Sequence, residues 1–319
     1  MLVQMSRLGT SIRALHAQLA ASKQQYDELD RMMAYLRSDI VRRVHASDVW
    51  SFGSCSNGLW TNSSDADLTL IVPRCNNKAK IVTKLKVVRD FVYKTSQTPV
   101  SMNIVENARI PVLKISLPES CCLREVDLSI NNVSGIENSL LVKNWARLDP
   151  RFVPLAFTVK HWAKNRGIND RSQGTLSTYT LLLQLVYVMQ TRGIVPPFAD
   201  FVFRDILDTP YEELNGTLRP TPFDMHYDFK SSNTKDDEAS LLREFFHLFG
   251  DEQLAHGAEI LDGSINSSPT GALVMRCPLT NKDVNVLAAS AWRTIHSEFT
   301  KARDRLRDQP DLDVSDLVS

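Results

Sequence analysis

Trp50-Ser51-Phe52-Gly53-Ser54 and, after an interval of ten residues, Asp65-Ala66-Asp67-Leu68-Thr69-Leu70-Ile71-Val72 decide how this chain is read. In the second stretch Ala66, Leu68, Leu70 and Val72 share one face, and Asp65, Asp67 and Thr69 the other. Such period-two alternation marks a half-buried strand. Carboxylates at i and i+2 project from the same face. They repel each other, so the arrangement calls for a cation between them, and magnesium takes oxygen ligands of this kind while keeping part of its shell for substrate phosphates. Residues 55–64 are polar and small, hence a loop. The Gly53-Ser54 turn before it offers backbone N–H groups and a hydroxyl to phosphate oxygens. A second D-x-D, Asp311-Leu312-Asp313, has no such setting and reads as solvated charge.

A third acid extends the pattern. In Glu125-Val126-Asp127-Leu128-Ser129-Ile130 the apolar residues fall on one face and Asp127 on the other. If this strand lies beside residues 65–72, Asp127 joins the two acids. Three carboxylates can hold two metals about 4 Å apart, a pair that stabilises both the attacking and the leaving oxygen of an in-line displacement. Asp127 then ligates the metal that activates a hydroxyl, or serves as its base.

Outward from this centre, Leu8, Ile12, Leu15 and Leu19 mark a helix that continues through Leu29 and Met33 to Val44. Ile81, Leu85, Val88 and Val92 predict a helix over 79–94, with Lys80, Lys84, Arg89 and Lys94 on its other face. Residues 104–105, 110–117 and 124–130 are strand-like. After 136 the pattern turns helical, over 137–147, 151–165, 175–191, 239–249, 251–261 and 284–306, with an irregular insertion at 206–238. The 319 residues, 43% hydrophobic and 23% charged, suit a globular chain of about two domains. The expected architecture is an α/β catalytic domain over 32–136, a helical domain from 1–31 and 137–307, and a disordered acidic tail over 308–319.

Phe52-Gly53-Ser54, Asp65-x-Asp67 and the later Asp127 resemble the polymerase-β-type nucleotidyltransferase signature. Asn138-Ser139-x-Leu141, Asp149-Pro150-Arg151, Val159-Lys160-x-Trp162-Ala163-Lys164 and Leu176-Ser177-Thr178-Tyr179-Thr180 resemble the poly(A)-polymerase-like central domain, in its terminal uridylyltransferase branch and close to a minimal kinetoplastid enzyme. The resemblance covers about 45–305. It implies a nucleotidyltransferase domain joined to a helical domain, with the active site in the cleft between them. The implied activity is template-independent transfer of UMP from UTP to an RNA 3′-hydroxyl, with poly(A) addition as the alternative, using two Mg²⁺ or Mn²⁺ ions held by Asp65, Asp67 and Asp127. Ser54, Ser64, Lys160, Lys164 and Thr178 would bind the triphosphate. Asn138 and Ser139 would read the ribose and a uracil edge, and Tyr179 would stack on the base. Asp283 and Arg293 would read uracil: many uridylyltransferases carry a histidine just before an Asn-Val pair, and here Lys282-Asp283-Val284 precedes Asn285-Val286.

The 37 basic residues cancel the 37 acidic ones, so any surface for a nucleic acid is local. Arg124 and Arg147 are candidates for weak, salt-sensitive contact with a single-stranded RNA primer. The five cysteines show no C-x-x-C spacing, which fits a reducing compartment. The expected location is the cytoplasm, with the mitochondrion as the alternative because the first 26 residues carry no acid. No stretch approaches the roughly 20 apolar residues of a membrane span, and a monomer is expected.

Overall fold

The computed structural model describes residues 6–96, 100–196, 233, 235–251, 258–259, 264–265, 273–280, 282–284 and 287–319. In chain order its elements are α1 (Arg7–Leu19), α2 (Lys23–Tyr35), α3 (Val41–Val44), β1 (Asp48–Phe52), α4 (Ser54–Asn57), β2 (Ala66–Ile71), α5 (Lys78–Thr95), β3 (Ser101–Val105), β4 (Val112–Ser116), β5 (Glu125–Ile130), α6 (Val133–Leu148), α7 (Phe152–Asn165), α8 (Thr178–Thr191), α9 (Glu238–Phe249), the two-residue strands β6 (Ala258–Glu259) and β7 (Ser264–Ile265), α10 (Ala289–Asp308) and α11 (Val314–Val318). They divide into two compact units, one from the described residues of 20–143 and one from those of 1–19, 144–202 and 225–319.

The first unit is a five-stranded sheet in the order β1-β2-β5-β4-β3. Only β2 and β5 run parallel, and the other neighbours are antiparallel. One face, with Leu68, Leu70, Leu113, Ile115, Val126 and Leu128, packs with Leu85 and Val88 of α5 and with Leu29 and Met33 of α2 in a single core. Burying each such side chain contributes about 1.5–3 kcal/mol. The unit starts ahead of the expected 32 because α2 belongs to this core; spacing shows that a helix has an apolar face and not what that face meets. The continuous helix expected through Val44 is interrupted. Ser22 and Gln25 form a reciprocal capping box that starts α2 afresh, and Ala20 bridges to Thr61; side-chain caps of this kind compete with helix continuation. Within the expected loop 55–64, residues 54–57 form the short α4.

In the second unit, Trp162 of α7 meets Phe246 of α9 and Phe299 of α10 edge-on, at centroid distances of 4.7 and 4.8 Å. The tail expected to be disordered is folded. Leu312, Val314, Leu317 and Val318 are buried, and α11 packs on α1 and α7. Two of its four acids cap backbone N–H groups: Asp311 accepts from the Leu8 N–H at 3.1 Å, and Asp313 from the Ser315 N–H at 3.1 Å. Acidic composition hid four apolar residues, each of whose burial contributes about 1.5–3 kcal/mol. The helix expected over 251–261 is not found at 258–259, which form β6 paired with β7; residues 252–257 and 260–261 lie outside the described set. Most of the insertion at 206–238 lies outside it as well. Among the described residues no helix is long and apolar enough to cross a membrane.

Candidate active site

The sheet face opposite the core carries the acids. Phe52, Asp67 and Asp127 are register partners across β1, β2 and β5, so Asp67 and Asp127 stand side by side on parallel strands. Gly53 follows Phe52 with φ at +65°, and a Cβ built on it would lie 2.4 Å from Asp67 Oδ2. Only glycine satisfies both the left-handed backbone and the approach of the carboxylate. The Gly53 N–H donates to Ser139 Oγ at 2.6 Å, and the Ser139 hydroxyl donates to the Gly135 carbonyl at 2.6 Å. Gly135 is itself pressed on the Phe52 ring, where a Cβ would come within 2.7 Å. The first turns of α6 thus clamp the Gly-Ser turn. Ser139 is buried, and its hydroxyl holds this clamp. The Ser54 hydroxyl opens α4 and makes no hydrogen bond among the described residues. Behind it, burial and the charge of Asp67 push the Cys55 thiol up to about 12, so this cysteine is a packing residue and not a nucleophile.

Asp127 is met from its other side by Lys114, its register partner on β4. Lys114 Nζ donates to Asp127 Oδ2 at 2.7 Å and to Oδ1 at 3.0 Å. Burial pushes the Asp127 carboxyl above the usual aspartate range; Lys114 opposes this, and the charge of Asp65 adds to it. Burial works against the Lys114 ammonium, but the hydrogen bond and charge of Asp127, with Asp65 and Glu125, outweigh it and lift the group above the usual lysine range. Asp65 precedes β2, its carbonyl held by Trp60 Nε1 at 3.1 Å. Ser64 Oγ is 2.5 Å from Thr61 Oγ1, so that hydroxyl serves the loop.

Among the described residues no three His, Cys, Asp or Glu side chains gather tightly enough to enclose an ion. The oxygens of Asp65, Asp67 and Asp127 are the hard donors that Mg²⁺ takes, and the surplus of negative charge on this face, already drawing Lys114, suits a divalent cation. Lys114 went unread in the sequence. The signal was present: one lysine within Pro111-Val112-Leu113-Lys114-Ile115, on the face opposite the buried Leu113 and Ile115.

In the second unit, Lys160 and Lys164 are one turn apart on α7, Lys160 half-buried and Lys164 exposed. Burial and then Lys164 lower the adjacent His161 below its usual value. Ser177 caps α8, and the Thr178 hydroxyl donates to Asn169 Oδ1 at 3.2 Å. Tyr179 Oη lies 3.5 Å from Cys277 Sγ. Cys277 belongs to a turn closed by its N–H on the Lys282 carbonyl at 2.9 Å and by the Val284 N–H on Met275 at 2.8 Å. Asp283 sits on that turn, opposite Arg276 and 3.6 Å from its Nε. Tyr179 and the turn bearing Asp283 are therefore brought together, whereas Asn285-Val286 lie outside the described residues. Arg293, Arg124 and Arg147 are exposed, and Asn138 is half-buried on α6.

Residues 8–147 match the family described as the central palm domain of mitochondrial-like poly(A) RNA polymerase. Over this stretch the chain is similar to the poly(A)-polymerase-like nucleotidyltransferases. Among curated relatives, the chain is 36% identical over 176 residues to poly(A) RNA polymerase GLD2 of Danio rerio, covering 54% of this chain and 35% of that protein. It is 36% identical over 162 residues to the Homo sapiens GLD2, covering 49% and 33%. The matched segment thus spans about a third of the length of these relatives, which are RNA nucleotidyltransferases. Beyond the palm, the whole chain shares the fold of GLD-2 in its complex with RNP-8 (TM-score 0.78, 22% identity, 97% of each chain) and of a cytoplasmic RNA terminal U-transferase (TM-score 0.75, 22% identity, 98% and 96%). The fold is the polymerase-β-type nucleotidyltransferase fold.

Proposed function

We propose that this protein adds nucleotides to RNA 3′ ends without a template. The observation that carries the reading is the register of Asp67 with Asp127 on parallel strands, with Gly53 pressed against Asp67. When bound by Asp65, Asp67 and Asp127, two Mg²⁺ ions would stabilise the attacking and leaving oxygens of an in-line displacement at the α-phosphate. The chain's own groups divide the remaining work. Asp127 would ligate the metal that activates the RNA 3′-hydroxyl, or serve as its base. Ser54 offers its hydroxyl to a phosphate oxygen, and Lys160, Lys164 and Thr178 neutralise and orient the triphosphate. Tyr179 stacks on the base. Gly53, Ser139 and Gly135 keep the Asp67 carboxylate in place.

ATP is the nucleotide favoured. The curated relatives described above are named poly(A) RNA polymerases, and no histidine stands immediately before Asn285-Val286. UTP is the second reading, supported by the Asp283 carboxylate near Tyr179, an acceptor suited to uracil N3–H. Extension of a short RNA primer with each of the four NTPs tests both: extension with ATP supports the first, extension confined to UTP the second, and no extension with any nucleotide overturns the activity.

A further inference from the structure

The helical unit carries a basic cleft that the reading above does not use. α9 presents Arg243 and His247 at i and i+4, and α10 presents Arg303 and Arg307 at the same spacing. These four residues and Leu306 line a cavity of about 320 Å³. Like charges at i, i+4 cost a few tenths of a kcal/mol, and the Arg303/Arg307 pair faces the same space as Arg243 and the His247 ring.

The donors are only partly committed. Arg243 spends Nε and Nη2 on the Pro310 carbonyl, at 3.0 and 2.8 Å, leaving Nη1. Arg307 spends Nε on Asp308 and Nη1 on Asp304, at 3.1 and 3.0 Å, leaving Nη2. Arg303 is held by the Gly250 carbonyl and Asp304. The exposed His247 makes no hydrogen bond among the described residues. Three guanidiniums against the carboxylates of Asp304 and Asp308 leave one net positive charge. Leu306, buried, floors the cleft with apolar surface.

We propose that this cleft binds one backbone phosphate of single-stranded RNA, the free guanidinium nitrogens holding the phosphodiester and Leu306 with the His247 ring packing against the sugar. One net charge matches one phosphodiester, guanidinium is the group best shaped for it, and the volume exceeds what a bare phosphate fills. The proposal rests on the reading of RNA as substrate.

The test is fluorescence anisotropy of a labelled single-stranded oligoribonucleotide with the full chain, titrated across salt. His247→Glu with Arg307→Glu is the informative double variant, because neither residue holds a backbone carbonyl. We expect RNA affinity to fall about tenfold and the slope of log affinity against log salt to become shallower by about one. Arg307→Lys with His247→Lys should keep both near wild type, which separates lost charge from lost folding. Unchanged affinity and slope in the folded double Glu variant would overturn the proposal. So would an oligoglutamate peptide whose binding the double variant abolishes while RNA binding stays intact, since the cleft would then serve an acidic protein segment. Binding is read without turnover, so a wild-type chain that binds RNA in this way yet extends no primer counts against the proposed activity and not against the cleft.

Discussion

Lys114 Nζ lies 2.7 Å from Asp127 Oδ2 and 3.0 Å from Oδ1, so an ammonium from the neighbouring strand covers both oxygens of the third acid. Opposite charges directly across an antiparallel pair stabilise it modestly. Here the same oxygens are those a divalent ion needs, which makes Lys114 the cation that an incoming ion must compete with.

Lys114→Met should therefore separate two effects. Without divalent ions the variant should melt lower, by about 1 kcal/mol, since the lysine side of the pair is 44% exposed. Mg²⁺ or Mn²⁺ should then bind roughly fivefold tighter, since a repelling charge of about 1 kcal/mol is gone. Thermal melts and calorimetric ion titrations read the two separately. An ion affinity identical to wild type would show that Lys114 does not stand in the ion's way.

Asp127 gives a pH signature. Its carboxyl is raised in the folded chain, by burial first and by Asp65 in the same direction. A group raised on folding contributes stability that is present below its unfolded value and lost as pH rises through the folded value. In ion-free buffer the wild type should thus lose some stability as pH rises from about 4, the ordinary aspartate value, towards neutrality. Asp127→Asn should flatten that part of the curve, melt at least as high as wild type at neutral pH, and extend no RNA. Melting profiles of the two proteins that superimpose across this window would contradict the direction.

Gly53→Ala tests the packing of the turn. The added Cβ falls 2.4 Å from Asp67 Oδ2 at a φ of +65°. The strained backbone should cost about 1–3 kcal/mol of stability. Displacing Asp67 by a fraction of an ångström should cost roughly a hundredfold in kcat. Primer extension at saturating nucleotide, beside a thermal melt, measures both; near-wild-type turnover would mean that Asp67 need not sit where it does.

Much of this was legible in the sequence, and the limits have physical causes. Two-residue alternation placed Asp67 and Asp127 on strands and on one face, because a buried sheet face enforces it. That these strands are parallel neighbours in exact cross-strand partnership is a long-range pairing that no local pattern encodes. The tail was misread because composition counts Asp311, Asp313 and Asp316 as solvated charge, whereas two of them cap backbone N–H groups. Ser139 was expected at the ribose and base. It is buried with its hydroxyl on the Gly135 carbonyl, one turn back on its own helix, and on the Gly53 N–H, 86 residues away in sequence.

Ser139→Ala distinguishes these two roles. Removing the hydroxyl leaves the Gly53 N–H without its partner, a loss of about 1–3 kcal/mol that loosens the turn against Asp67. Turnover should fall about tenfold or more, while the preference for a ribonucleotide over its 2′-deoxy form stays as in wild type. A collapse of that preference at unchanged turnover would return Ser139 to the sugar.

Base choice turns on the Arg276–Asp283 pair. Tyr179 can stack on any base and so supplies affinity without choice; choice needs polar groups at the base edge. Tyr179 meets the turn that carries the pair through Cys277, and Arg276 and Asp283 stand opposite each other on it, 3.6 Å apart. Together they present a donor and an acceptor side by side. Adenine can meet them with the acceptor N1 beside the N6 amino donor, and uracil with the N3–H donor beside the O4 acceptor, so the carboxylate would take the N6 amino group of one or the N3–H of the other. A mismatched polar edge costs about 1–3 kcal/mol, or roughly ten- to hundredfold. On the ATP reading proposed above, the wild type should prefer ATP over UTP in direct competition on one primer, and Asp283→Ala, which removes the acceptor for the N6 amino group, should erode that ratio about tenfold while lowering total extension much less. A wild type that prefers UTP, with Asp283→Ala eroding its UTP/CTP ratio, would assign the carboxylate to uracil N3–H instead. A ratio that Asp283→Ala leaves untouched would remove the pair from base selection altogether.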